Sequence, residues 1–388
     1  LNYPGKYFIT NPGILLKVAE LMMEFDHIHF YVEDAKTSRN WFIEKLKFVA
    51  AGTVIHSHTH TEVVHNGSVV FLLSSPLSLH SDAAEYLRHY SPGIIDVAFK
   101  VNHLDAIVNK IRARGGKILQ PIQHHNLGAE VLKWATVLGW GGLRHTLVER
   151  QKNIPEKVIP RIPFLIKSTP SSIALEGIDH VVLNVEAGEL ESAMIEYQKL
   201  FEFESQQSFN IQTQRSGLHS KVLKSPQGNV KFPINEPTSK TSQIQEFLEY
   251  NQGSGIQHLA LKTNNIIHTV TQLIQQNLSF LSVPDSYYIK LKQRGINSYL
   301  KQNWNKLKTS QILMDWKDSS PEVVLLQIFT QPIFNQPTFF FEFIERRLAK
   351  IQGKMIQAEG FGEGNFQALF EAVEQDQINR MLNQLDLK

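Results

Sequence analysis

The sequence predicts an α+β chain built twice from curved, mixed sheets. Two observations carry this: strand-then-helix segments recur in the same order, and a proline-rich stretch separates the copies. FDHIHFYV at 25–32 resembles IDHVVLNV at 178–185, and each runs into an amphipathic helical pattern, DAKTSRNWFIEKLKF in one copy and AGELESAMIEYQKLF in the other. SPGIIDVAFKV at 91–101 matches GSGIQHLALKT at 253–263, again followed by helices, LDAIVNKIRARG and NIIHTVTQLIQQN. HTLVER at 145–150 matches FEFIER at 341–346 as the closing strand of each copy. Each half therefore holds two strand-helix-strands units.

Between them, QKNIPEKVIPRIPFLIKSTPSS carries Pro155, Pro160, Pro163 and Pro170, which interrupt any regular element. The expected organisation is a first domain over 22–150, a linker over 151–175 and a second domain over 176–388. Residues 1–21 hold Lys6, Lys17 and Glu20 among short apolar runs and lack the uninterrupted core of a signal peptide. Met22 and Met23 immediately precede the first repeat strand, so 1–21 are expected to be a dispensable extension. At the other end, Phe366, Leu369, Phe370 and Val373 form an apolar stripe, predicting a helix over about 363–384 with no counterpart in the first half.

A chain of 388 residues with 42% hydrophobic content is long enough for two cores. With 39 basic and 37 acidic residues, nothing in the charge balance points to nucleic acid or an acidic membrane surface. Small molecules or copies of the chain itself, as a dimer or tetramer, are the expected partners. No apolar run approaches the roughly 20 residues of a bilayer span, and a soluble cytoplasmic protein is expected. The absence of cysteine removes disulfides, thiolate metal sites and a cysteine nucleophile together.

Any metal must then be held by His, Asp or Glu. The three matched strands of the second half offer His180, His258 and Glu342, where the first half has His27, Asp96 and Thr146. Singly, a strand histidine is more often a satisfied core residue than a ligand. Jointly the three stand at corresponding strand positions, and Glu342 interrupts PTFFFEFI, where an unpaired buried carboxylate is costly. Two histidines and one carboxylate suit Fe(II) with coordination positions left open, and the first half is read as metal-free. HSHTH at 56–60 puts His56, His58 and His60 on one face of a possible strand, read as a solvated edge because the run is rich in Thr and Ser.

From about Glu24 onward the chain resembles 4-hydroxyphenylpyruvate dioxygenases of the vicinal oxygen chelate superfamily. In the second half GIDHVVLNV, FPINEP, GSGIQHLALKT, FLSVPDSYY, LLQIFTQP, PTFFFEFIERR and GFGEGNF resemble family segments in the family's order. The resemblance implies duplicated βαβββ modules closing into two open barrels, with a C-terminal lid helix. It implies that His180, His258 and Glu342 bind Fe(II), and that 4-hydroxyphenylpyruvate and dioxygen become homogentisate and carbon dioxide through oxidative decarboxylation, ring hydroxylation and side-chain migration. It places Ser220, Pro233, Asn235, Gln243, Gln257, Gln327, Phe329, Phe340, Phe361, Asn365 and Phe366 at the substrate. Strand parity supports the pairs Pro233 with Asn235, Gln327 with Phe329 and Phe340 with Glu342, but turns Gln257 away from His258. The rival readings are 4-hydroxymandelate synthase, which oxidises the benzylic carbon of the same substrate, an extradiol ring-cleaving dioxygenase, and a non-catalytic binding member of the superfamily.

Overall fold

The computed structural model describes residues 22–127, 130–151, 154, 158–162, 164–167 and 170–386. The extension 1–21 lies outside them, as do Pro155 and Pro163 of the linker. The first half runs β1 (Met23–Tyr31), α1 (Ala35–Leu46), β2 (Val49–Ile55), β3 (Thr59–Asn66), β4 (Val69–Pro76), α2 (Asp82–His89), β5 (Gly93–Val101), α3 (Leu104–Ala113), β6 (Ile118–Leu127), β7 (Glu130–Leu138) and β8 (Arg144–Arg150). Its strands form one sheet in the order β2-β3-β4-β1-β5-β8-β7-β6.

The second half repeats that plan with β9 (Gly177–Asn184), α4 (Leu190–Phe201), β10 (Glu204–Gln212), β11 (Gly217–Lys224), β12 (Lys231–Pro237), α5 (Gln243–Asn251), β13 (Gly255–Lys262) and α6 (Ile266–Gln275). Two further helices, α7 (Asp285–Gln293) and α8 (Ser298–Thr309), precede β14 (Leu313–Lys317), β15 (Ser320–Phe329) and β16 (Phe340–Arg346). The sheet order is β10-β11-β12-β9-β13-β16-β15-β14, the topology of the first half. A small hairpin, β17 (Leu348–Ile351) and β18 (Lys354–Gln357), leads to α9 (Glu363–Asp386). Among the described residues no helix is long and apolar enough to cross a membrane.

Each sheet is antiparallel at its centre, β1 on β5 and β9 on β13, with parallel pairs on either side. A parallel pair needs a crossover, and the helix after β1, β5, β9 and β13 supplies it. Side chains of β16 alternate between faces. Phe341 and Phe343 enter the large apolar core, where Phe341 lies against Phe71 of β4, while Phe339 just before the strand meets Phe30 of β1 edge-on. One aromatic core thus joins the backs of the two sheets. Glu342 points the other way, into the hollow of the second sheet.

The HSHTH run does not form one strand face. His56 and His58 are exposed around the β2–β3 turn, whereas His60 is buried on β3 with Nε2 2.8 Å from Glu62 Oε1. The turn breaks the alternation that the sequence suggested.

Candidate metal centre

β9, β13 and β16 are neighbours in the sheet, and each places one side chain at the same depth of the hollow. Ala260 of β13 is the register partner of both His180 and Glu342, which brings those two across to each other with His258 beside them. Nε2 of His180 lies 3.1 Å and Nε2 of His258 3.6 Å from Glu342 Oε2. One ligand atom from each of the three falls within 4.8 Å of the others, and among the described residues this is the one such group of three or more. The side chains are almost wholly buried, with residue exposures of 1%, 5% and 1%.

The surroundings orient all three. A β-bulge at Asp179 lets this residue and its neighbour His180 turn to the same side, which a regular strand forbids. Asp179 Oδ1 then sits 2.9 Å from His180 Nδ1, while Arg346 Nε and Nη2 donate to Asp179 Oδ2 and Oδ1 at 2.6 and 2.7 Å. Burial opposes ionisation of Asp179, but Arg346 outweighs it and holds the carboxyl well below its usual range. A carboxylate on Nδ1 favours the tautomer whose lone pair is at Nε2, facing Glu342. Gln327 Nε2 donates to Glu342 Oε1 at 2.9 Å, leaving Oε2 toward the histidines.

Burial lowers the basicity of His180, yet the charge of Glu342 and the Asp179 contact outweigh it and raise the pKa. Burial and the neighbouring His180 hold His258 well below its ordinary value, so this imidazole is neutral. Two imidazole nitrogens and one carboxylate oxygen converge at a spacing that one ion could span, with their remaining sides open to a cavity. The donor set fits a divalent transition metal, and a cation there would relieve the crowding of three buried polar groups.

The cavity above them is small, about 30 Å³. Ser220, Pro233, Asn235, Gln327 and Phe329 line it from the sheet, and Phe361, Phe366 and Leu369 cover it. Phe361 meets His180 edge-on at 4.9 Å, and Phe366 meets Phe209 at 5.2 Å. Ser220 Oγ and Asn235 Oδ1 are buried without a hydrogen-bond partner.

The chain matches the Glyoxalase/Bleomycin resistance protein/Dioxygenase superfamily over residues 24–132 and 177–294, one stretch in each half. It is 35% identical to 4-hydroxyphenylpyruvate dioxygenase of Danio rerio over 92% of this chain and 91% of the relative, and 33% identical to that of Caenorhabditis elegans over 92% of each. The chain belongs to the 4-hydroxyphenylpyruvate dioxygenase family. An uncharacterised protein of Synechocystis is 36% identical over 91% of this chain and 97% of its own length. A mutant of 4-hydroxymandelate synthase from Streptomyces coelicolor superposes with a TM-score of 0.77 at 25% identity, over 91% of this chain and 98% of the other.

Four of the residues that the family resemblance puts at the substrate, Gln243, Gln257, Phe340 and Asn365, are not among those that line this cavity. Gln257 is the extra residue of a second bulge, between Ile256 and His258, and turns to donate to Gln243 Oε1 at 2.7 Å. Both glutamines line a separate small hollow rather than the metal cavity. Phe340 also faces that hollow and stacks on His258, ring centres 4.9 Å apart, so it props the ligand instead of walling the cavity. Asn365 donates to Gln327 Oε1 at 2.8 Å and accepts from Tyr287 OH at 2.7 Å, which ties α9 to the amide that holds Glu342. Ser220, Pro233, Asn235, Gln327, Phe329, Phe361 and Phe366 are on the wall.

Asp179, Arg346 and Tyr287 escaped the sequence reading of this dioxygenase-family chain. A signal for the first two was present, since Asp-His and Glu-Arg recur at matched places in both halves, as Asp26-His27 and Glu149-Arg150 and as Asp179-His180 and Glu345-Arg346. Nothing local marks Tyr287, whose role depends on where α9 docks.

Proposed function

We propose that the protein is an Fe(II)-dependent dioxygenase that converts 4-hydroxyphenylpyruvate and O2 to homogentisate and CO2. The observation that carries this reading is the convergence of His180, His258 and Glu342, one ligand atom from each within 4.8 Å of the others, at the floor of a cavity walled by phenylalanine in a chain of this family. Bound Fe(II) supplies redox activation of dioxygen and a template for the substrate's keto acid.

The chain's own residues supply position and exclusion. Asp179 and Gln327 hold His180 and Glu342 in place, and the rings of Phe329, Phe361 and Phe366 form an apolar slot for the substrate's aromatic ring. Ser220 Oγ and Asn235 Oδ1 have unmet hydrogen-bonding capacity that the phenolic hydroxyl would satisfy. A cavity of about 30 Å³ is too small for such a substrate. On the other side of Phe361 lies an open groove of about 700 Å³. Binding therefore requires Phe361 and the start of α9 to swing outward, and their return keeps water from the reacting centre.

The test is oxygen uptake by the Fe(II)-loaded protein with 4-hydroxyphenylpyruvate, followed by chromatography of the product. Homogentisate supports the reading, 4-hydroxymandelate assigns the synthase reaction instead, and no substrate-dependent uptake overturns both.

A further inference from the structure

The hollow of the first sheet encloses a cavity of about 160 Å³, several times the volume above the metal ligands of the second sheet. It occupies the equivalent place in the repeat, since His27, Asp96 and Thr146 line it where His180, His258 and Glu342 line the other. A cavity of about 150 Å³ accommodates a molecule the size of benzene. Its chemistry differs from that of a metal site. Asp96 already accepts from Thr146 N at 2.9 Å and Thr146 Oγ1 at 2.5 Å, so its carboxylate is engaged within the frame.

Three features give the space a polarity. His29 Nε2 is 2.7 Å from Ser74 Oγ, which is 2.6 Å from Thr61 Oγ1, forming a short chain of neutral donors and acceptors along one wall. Burial pushes His29 down to about 3, so the imidazole brings no charge. Val54, Leu72 and Ile162 give an apolar wall. Arg161, in the segment that crosses the mouth, donates to the neutral oxygens of Gln120 and Thr136. Among the described residues no carboxylate is ion-paired with it; Asp96, already engaged, and Asp82, which pairs with Arg144 at 3.3 Å, act on it only at a distance as negative charges. Its backbone sits at φ 66, in the left-handed region that a side chain such as arginine enters at a cost. The fold thus holds a cation strained over a one-ring cavity whose walls carry hydroxyls and apolar groups.

We propose that the first half-barrel is a second, metal-independent binding site for a small organic carboxylate, its anion on Arg161 and its body against Val54, Leu72 and Ile162. The site is distinct from the metal cavity and does not depend on which reaction occurs there.

Benzoate and propionate serve as probes in calorimetric titration of the full, Fe(II)-loaded chain, with benzyl alcohol as the uncharged comparator. Benzoate is expected to bind at one site per chain in the first half. Arg161→Met should weaken it by about tenfold or more, as loss of a charge-assisted contact does. Leu72→Trp, which keeps the cation and fills the space, should weaken benzoate more than propionate. A crystal grown with benzoate should show it under Arg161. Benzoate affinity unchanged in both variants, benzyl alcohol binding as tightly as benzoate, density confined to the metal cavity, or no binding of either acid would each overturn the proposal.

Discussion

In the second half-barrel Asp179 bridges Arg346 and His180; in the first, Asp26 makes the matching contacts to Arg150 and to His27, whose Nδ1 lies 2.6 Å away. The same buried frame, bulge included, is therefore present twice. Only the residues hung on it differ. Where His180 and His258 each turn Nε2 toward Glu342 Oε2, Asp96 and Thr146 hydrogen-bond to each other. A carboxylate satisfied by a hydroxyl and a backbone amide has little need of a cation, whereas Glu342, held at Oε1 by Gln327, keeps Oε2 turned toward two imidazoles. The Asp–Arg pair is an architectural element of the repeat, and the ligand set was laid over it in one copy.

Removing ligands breaks the comparison most severely. His258→Ala or Glu342→Ala is expected to abolish stoichiometric iron binding, while Asp96→Ala and His27→Ala leave iron content at the native level; metal analysis after gel filtration checks this. Loss of iron in the first-half variants would show that the two frames are not independent. Next in size is the reverse experiment. The double substitution Asp96→His with Thr146→Glu gives the first half the full donor set around His27, and a second, weaker iron per chain is expected by the same measurement.

The shared frame separates the copies by kind of effect. Asp179→Asn should weaken iron binding by about 10- to 100-fold, the usual consequence of losing the group that orients a ligating histidine. Asp26→Asn should leave iron unchanged and reduce stability. Burial alone would raise the Asp26 pKa, but Arg150 outweighs it and lowers it from 3.8 to about 2. A depressed folded-state pKa stabilises above the unfolded value and ceases to do so as pH falls through the folded value. The pH-dependent part, about 2 kcal/mol, is thus present at pH 7 and fades between about pH 4 and 2. Urea denaturation of wild type and variant across that window reads it.

The smallest expected effect concerns the cover, which only the second half takes from a long C-terminal helix. Phe361→Ala should change iron content little and lower the yield of product per oxygen consumed by a few-fold, because water then reaches the centre. Full coupling in that variant would reduce α9 to a packing element.

The repeat, the α+β class and the three ligand-type residues were legible in the sequence because each depends on the period of one strand and on comparing two copies of it. Pro233 with Asn235 and Gln327 with Phe329 reach one wall by the same alternation. Phe340 shares a strand face with Glu342 yet turns to His258, since parity gives a face and not a neighbour. Gln257 shows the other limit: the strand slips by one residue there, and a hydrogen bond to Gln243 on α5 decides where the amide goes.

By itself the sequence determined which residues could ligate, which strands they stand on and that only one half holds the full set. Local periodicity and residue chemistry suffice for that. The tertiary structure alone decided that Asp179 turns beside His180 and meets Arg346, that Asn365 of α9 reaches Gln327, and that the first hollow encloses space under Arg161. Each of these depends on where a bulge, a docked helix or a crossing segment comes to rest. Those resting places are set by packing between elements far apart in the chain, which no pattern within one element encodes.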